Sequence, residues 1–153
     1  MKQIGAFFDF DETLLEVESS RLGIQYLYDE GHVGLWFIIK VLTANFFYKR
    51  NMISDETMAK FLMRFYRNKE LAMFEENAPL FYNDHLKPRL APNIVEKVRE
   101  HHKNGHILVL ISASVRYYLQ PAAQDLGFHH LLCTDLETGA NGLLTGRPDG
   151  PVC

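Results

Sequence analysis

Two short apolar runs constrain this chain more than any other feature in it. The first, "QIGAFF" at residues 3–8, stops at the polar cluster "DFDET" of residues 9–13, and the second, "HILVLIS", lies far downstream at residues 106–112. Each has the length and composition of a short buried strand. Between them, from about Leu14 to Leu86, the spacing of apolar residues is helical. That separation of about 70 residues is far beyond an ordinary strand connection, so the chain is expected to carry a helical insertion after its first strand. In "SSRLGIQYLYDEG" a helix should stop at Gly31. In "SDETMAKFLMRFYRNK" Ser54 can cap a helix, Asp55 and Glu56 suit its first turn, and Met58, Phe61, Leu62 and Phe65 share a face.

Helix and strand alternate again beyond Leu86. "PNIVEKVREHHKNG" predicts a helix with Pro92 in its first turn and Ile94, Val95, Val98 and His102 inward. The continuous run "HILVLIS" suits a parallel sheet covered on both faces. A helix from about Val115 to Leu126, bent near Pro121, precedes a short strand at "HLLCT", and "LETGANGLLTGRPDG" reads as a hairpin lying outside the sheet. The fold class is therefore α/β: a Rossmann-like parallel sheet, incomplete at its C-terminal side, with a helical cap inserted after the first strand. The expected boundaries are residues 1–14 and 87–153 for the core and 15–86 for the cap.

Composition narrows the function. A chain of 153 residues that is 47% hydrophobic can build one sizeable core. Its formal charge of -3, with both signs interspersed, argues against a nucleic-acid partner. Two cysteines, Cys133 and Cys153, make neither a disulfide framework nor a zinc site, and a reducing, cytoplasmic location is the default expectation. His101-His102 and His129-His130 lack the spacing of helical ligand pairs. The window "VGLWFIIKVLTANFFY", residues 33–48, is too short to span a bilayer and contains Lys40 and Asn45. Cap core or a cap-to-body contact is preferred for it, with a lipid-facing surface helix as the lesser reading.

The chemistry lies at the end of the first strand. Asp9 and Asp11 start on one face of an extended chain, and two such carboxylates repel by roughly 1 kcal/mol in water and several-fold more at lower dielectric. A divalent cation with oxygen preference offsets that repulsion and is commonly shared with substrate phosphate. One carboxylate can then attack phosphorus while the other gives and takes protons. Ordinary turn acids on a solvated rim are the plain alternative.

"DFDET" followed by Leu14-Leu15 resembles the first signature of the haloacid dehalogenase-like phosphatases, and "VLISAS" with Ser112 resembles their second. The insertion between the two is similar to the phosphoserine-phosphatase-like branch of that superfamily. The resemblance implies Mg²⁺-dependent phosphomonoester hydrolysis through an aspartyl-phosphate. Asp9 would be nucleophile and Asp11 general acid/base, with Thr13 and Ser112 holding phosphate. Mg²⁺ would be bound by the Asp9 carboxylate and the Asp11 backbone carbonyl. Glu18 and Arg64 on the cap would read a substrate, either a small amino-acid or alcohol phosphate or a lipid phosphate; Arg67 is a second cationic candidate. The family's later lysine and acidic metal-binding signatures do not occur within these residues, so the chain is expected to be a piece of a longer phosphatase. The rival is a noncatalytic phosphate-binding or regulatory module. A signalling receiver domain, which also uses an acidic cluster, fits poorly because of the long insertion.

Overall fold

The computed structural model describes residues 3–150, with thirteen elements in the order strand, insertion, helix, strand, helix, hairpin. Strands β1 (Gly5–Asp9), β2 (Ile107–Val115), β3 (His130–Thr138) and β4 (Leu144–Asp149) form one sheet in the order β1-β2-β3-β4. The first three are parallel, as the apolar runs predicted, with Asp9 opposite Ile111 and Ile111 opposite Leu132. Helix α5 (Pro92–Lys103) packs beside β2, and α6 (Arg116–Asp125) beside β2 and β3. Among the described residues the side of β1 bearing Gly5, Phe7 and Asp9 is open to solvent.

The insertion comprises α1 (Ser19–Asp29), α2 (Leu35–Lys49), α3 (Asp55–Met63) and α4 (Leu71–Phe81), with short tighter or wider turns at Arg64–Tyr66, Tyr82–Leu86 and Lys87–Arg89. Its ends meet where Leu15 bridges Leu90, so the chain leaves and re-enters the sheet at one place. Ser54 caps α3 as expected, accepting the Thr57 amide at 3.3 Å, and Gly31 ends α1 in the left-handed region at φ 73°. The helix read through Lys69 stops earlier, at Met63, because the chain tightens and then turns left-handed at Asn68, φ 62°. The core runs through both parts: Phe10, Leu14, Leu15, Phe81, Leu86, Leu108, Leu110 and Leu119 are fully buried. Each such side chain contributes roughly 1.5–3 kcal/mol by leaving water.

Three expectations need correction. His102 is exposed and stacks on His129; the inward imidazole of α5 is His101, edge-on to Phe8 and bonded to His106. The hairpin does not lie apart from the sheet, since β4 pairs antiparallel with the far end of β3. Leu144 also exchanges backbone hydrogen bonds with the insertion, accepting from the Asn68 amide and donating to the Lys69 carbonyl, both at 2.8 Å. Finally, α2 meets the core on one side only: Val41 is buried and Phe37 and Ile38 pack against the core, while much of its remaining apolar surface faces solvent. A helix apolar on every side gives no periodic signal of which side is covered.

Candidate active site

The segment "DFDETLL" sorts its residues by burial. Phe10, Leu14 and Leu15 are completely buried, whereas Asp9, Glu12 and Thr13 are exposed and Asp11 half-buried. Apolar anchors thus hold a tight loop whose polar residues project from the C-terminal edge of the sheet, where open α/β sheets bind ligands. The loop closes by Leu14 N–H to Asp9 O at 3.3 Å and Leu15 N–H to Phe10 O at 2.8 Å, with Glu12 in the left-handed region at φ 56°. Phe10 N–H donates to Ile111 O at 3.1 Å, which sets the loop beside the end of β2.

The two carboxylates have different surroundings. Asp9 accepts a hydrogen bond from the Thr13 hydroxyl at 2.9 Å and is otherwise open. Asp11 is turned inward and accepts three: the Ser19 amide at 2.6 Å, the Ser112 hydroxyl at 2.8 Å and the Ser114 hydroxyl at 3.0 Å. Ser112 also accepts the Ser114 amide at 3.0 Å, and the hydroxyls of Ser19 and Ser114 are 2.8 Å apart. Ser19 begins α1, so Asp11 supplies the acceptor that the helix lacks at Glu18, whose own side chain makes no cap.

Ser19 and Ser114 are absent from the sequence reading. Strand alternation places Ser112 and Ser114 on one side, a signal available in "SAS". The regular register between β2 and β3 breaks between Ile111 and Val115, and Thr134 pins the irregular stretch by donating to Ala113 O at 2.8 Å. Ser19 carries no such signal, because its proximity arises from the packing of the insertion.

The structure thus brings Asp9 with Thr13, and separately Asp11 with Ser112, to the adjoining ends of β1 and β2, with Glu18 exposed beside Ser19. Arg64 is elsewhere. With Arg67, Asn68 and Arg147 it lines a polar groove of about 440 Å³ between the insertion and β4, and none of Asp9, Asp11, Thr13 and Ser112 lines that groove. Two acids of the hairpin are engaged locally: Asp135 by Arg116 at 2.5 and 2.8 Å, and Glu137 by Thr145 and Arg147. Cys133 is buried; Cys153 lies outside the described residues.

For Mg²⁺, the Asp9 carboxylate and the Asp11 carbonyl are hard oxygen donors of the right kind. Asp9 keeps most of its lone pairs free, which fits a cation, whereas the Asp11 carboxylate is occupied by its three donors. Among the described residues, no group of three or more His, Cys, Asp or Glu side chains is arranged to hold a metal. The two oxygens therefore suit part of an Mg²⁺ shell.

The family model of the haloacid dehalogenase-like hydrolases matches residues 6–153. The chain belongs to that family. It is 28% identical over 148 residues to a histidinol-phosphatase from Neisseria meningitidis serogroup C (strain 8013), covering 93% of this chain and 64% of that protein. Its fold superposes on a protein of unknown function from Bordetella pertussis Tohama I with a TM-score of 0.84 and 26% identity, covering 98% of this chain and 67% of the other. A phosphoserine phosphatase, solved as a phospho-aspartyl intermediate analogue, shares the fold at a TM-score of 0.61 and 17% identity, covering 98% of this chain and 64% of that one. The chain thus spans somewhat less than two thirds of the length of the histidinol-phosphatase that it resembles.

Proposed function

We propose that this chain carries the nucleophile and the acid/base of a phosphomonoester hydrolase that works through an aspartyl-phosphate. The observation that carries the reading is the contrast between two acids two residues apart: Asp9 open and held only by Thr13, Asp11 anchored to the first helix of the insertion. An Asp9 oxygen attacks phosphorus, forming the P–O bond to the enzyme as the bond to the leaving oxygen breaks. Asp11, released from part of its serine cradle and protonated, gives its proton to that leaving oxygen. It then takes a proton from water as the water attacks phosphorus, and the acyl phosphate opens to free Asp9 and inorganic phosphate. Mg²⁺, held in part by Asp9 and the Asp11 carbonyl, would neutralise phosphate charge. Thr13 and Ser112 would donate hydroxyls to the phosphoryl oxygens, Ser112 exchanging its bond to Asp11 for one to substrate.

Residues 15–86 serve as a cap that excludes water and meets the leaving group. Glu18, exposed at the junction of cap and core, suits a substrate ammonium, as in the amino-alcohol phosphate that the Neisseria relative's name implies. Arg64 would take part only with a substrate long enough to reach its groove. A small amino-acid or alcohol phosphate is thus favoured, with a lipid phosphate the second substrate class.

The test is hydrolysis of an aryl phosphate with Mg²⁺ by this chain, by the chain extended to the length of its relatives, and by the extended chain carrying Asp9→Asn. Turnover by the extended protein and its loss in Asp9→Asn support the reading. A folded extended protein inert toward a broad phosphate panel overturns it in favour of a noncatalytic phosphate-binding module. Glu18→Gln should raise KM for amino-bearing phosphates and leave the aryl phosphate unaffected.

A further inference from the structure

Helix α2 presents Leu35, Ile39, Leu42 and Phe46 along one side, at intervals of four, three and four residues that form a single stripe on a helix. These side chains are outside the core: Leu35 is 61%, Leu42 62% and Phe46 50% exposed, and the neighbouring Trp36 reaches 76%. The opposite side packs on the rest of the insertion, since Val41 is buried and the Phe37 ring meets that of Phe65 at 5.4 Å. The exposed stripe is therefore an outer surface of a docked helix.

We propose that this surface docks on an anionic lipid bilayer, with α2 lying in the plane of the interface. Charge decides between the occupants of such a face. From Gly31 to Ser54 the chain contains Lys40, Lys49 and Arg50 and no acidic residue, although the protein as a whole carries a net -3. Lys40 lies one turn from Trp36, Lys49 is one turn beyond Phe46, and the Arg50 guanidinium sits over the Phe46 ring at 4.1 Å from its centroid. Cations edging an aromatic and aliphatic stripe match anionic headgroups above acyl chains, and Trp and Tyr favour that boundary. In a two-fold pairing a second copy of the chain would bring the same cationic edge to this face. With 15 residues, α2 is about 22 Å long and can lie in a leaflet's surface, and no helix among the described residues is long and apolar enough to cross a membrane.

Trp36 is the sole tryptophan, so its emission reports on the stripe directly. The experiment mixes the full chain with vesicles of neutral phosphatidylcholine alone and of phosphatidylcholine with phosphatidylglycerol, reading sedimentation and Trp36 emission, with the chain's oligomeric state measured in parallel. Binding to the anionic vesicles with a blue shift is expected, reversed by salt. The doubly substituted Leu42→Glu/Phe46→Glu chain should lose it, and circular dichroism checks that this variant remains folded, as exposed positions allow. Replacing Lys40, Lys49 and Arg50 by Gln should lower partitioning on the order of a hundredfold, about fivefold for each cation. Absence of binding to anionic vesicles overturns the proposal, as does equal binding to neutral ones. A dimer abolished by Leu42→Glu/Phe46→Glu, without vesicle binding, also overturns it and makes a second copy the occupant.

Discussion

The Asp11 carboxylate accepts the backbone N–H of Ser19 at 2.6 Å, tying an acid of the sheet's loop to the first residue of the insertion's first helix. The same carboxylate holds Ser112 and Ser114 at the end of β2, so two separate chain segments converge on a side chain carried by a third. A negative group at a helix start also complements the dipole there.

Asp11→Ala should therefore cost stability as well as any activity. Ser112 and Ser19 are buried, and removing their acceptor leaves donors to find water or each other at about 1–3 kcal/mol. Asp11→Asn, which keeps one acceptor oxygen, should cost less. Urea unfolding midpoints of the three proteins check the ranking, and a silent Asp11→Ala would show that the network is easily replaced by water.

Gly23 in α1 is buried against Tyr118 of α6, and an added Cβ would come within 2.7 Å of the Tyr118 ring carbon Cζ. Alanine gains about 1 kcal/mol in helix propensity, whereas overpacking costs about 1–3 kcal/mol. Because Tyr118 is itself enclosed, the clash should win. Gly23→Ala is expected to lower the thermal midpoint, measured by circular dichroism.

At the hinge between α3 and α4, Asn68 holds a left-handed backbone while its amide donates to Leu144 of the hairpin. A β-branched residue there meets the steric cost of that conformation, about 1–2 kcal/mol, and glycine does not. Asn68→Val should loosen the hairpin, seen as faster amide exchange at Leu144, with Asn68→Gly close to the parent.

Burial raises the tyrosines beneath the insertion. Desolvation pushes Tyr118 up to about 12 and holds Tyr66 and Tyr117 well above the ordinary phenol value, their hydroxyls being 2.9 Å apart. A raised folded pKa contributes stability that is complete below the unfolded value of about 10 and is lost as pH rises toward the folded one. Thermal midpoints should thus hold to roughly pH 10 and fall between there and about 12, with Tyr66, Tyr117 and Tyr118 ionising only on unfolding, read as the tyrosinate absorbance lost when these three are replaced by Phe. Ionisation of these three in the folded protein near pH 10 would contradict this.

Much of this architecture was legible because local chemistry and tertiary role agree. The runs ending at Asp9 and Ser112 became neighbouring parallel strands, and Ser54 and Gly31 bounded their helices. Legibility failed where the cause was tertiary. Nothing in "VGLWFIIKVLTANFFY" tells which side of α2 is covered, because apolar residues surround it. The contact of Ser19 with Asp11 joins residues eight apart through packing of the insertion, and the pairing of Leu144 with Asn68 and Lys69 is backbone to backbone, independent of side-chain identity.

The helical insertion is held to the sheet at its junction, where Leu15 bridges Leu90, and along a shared buried core in which Tyr66 bonds Tyr117 and Phe81 meets Tyr118. The two Leu144 hydrogen bonds fix a further point away from that junction. Lifting the helices from the sheet therefore requires the shared core to open and the hairpin to let go or travel with them. The hairpin thus bears on the insertion from a point that touches neither carboxylate, and a change in its turn at residues 139–143 reaches the helices through Leu144 rather than through the loop that carries Asp9 and Asp11.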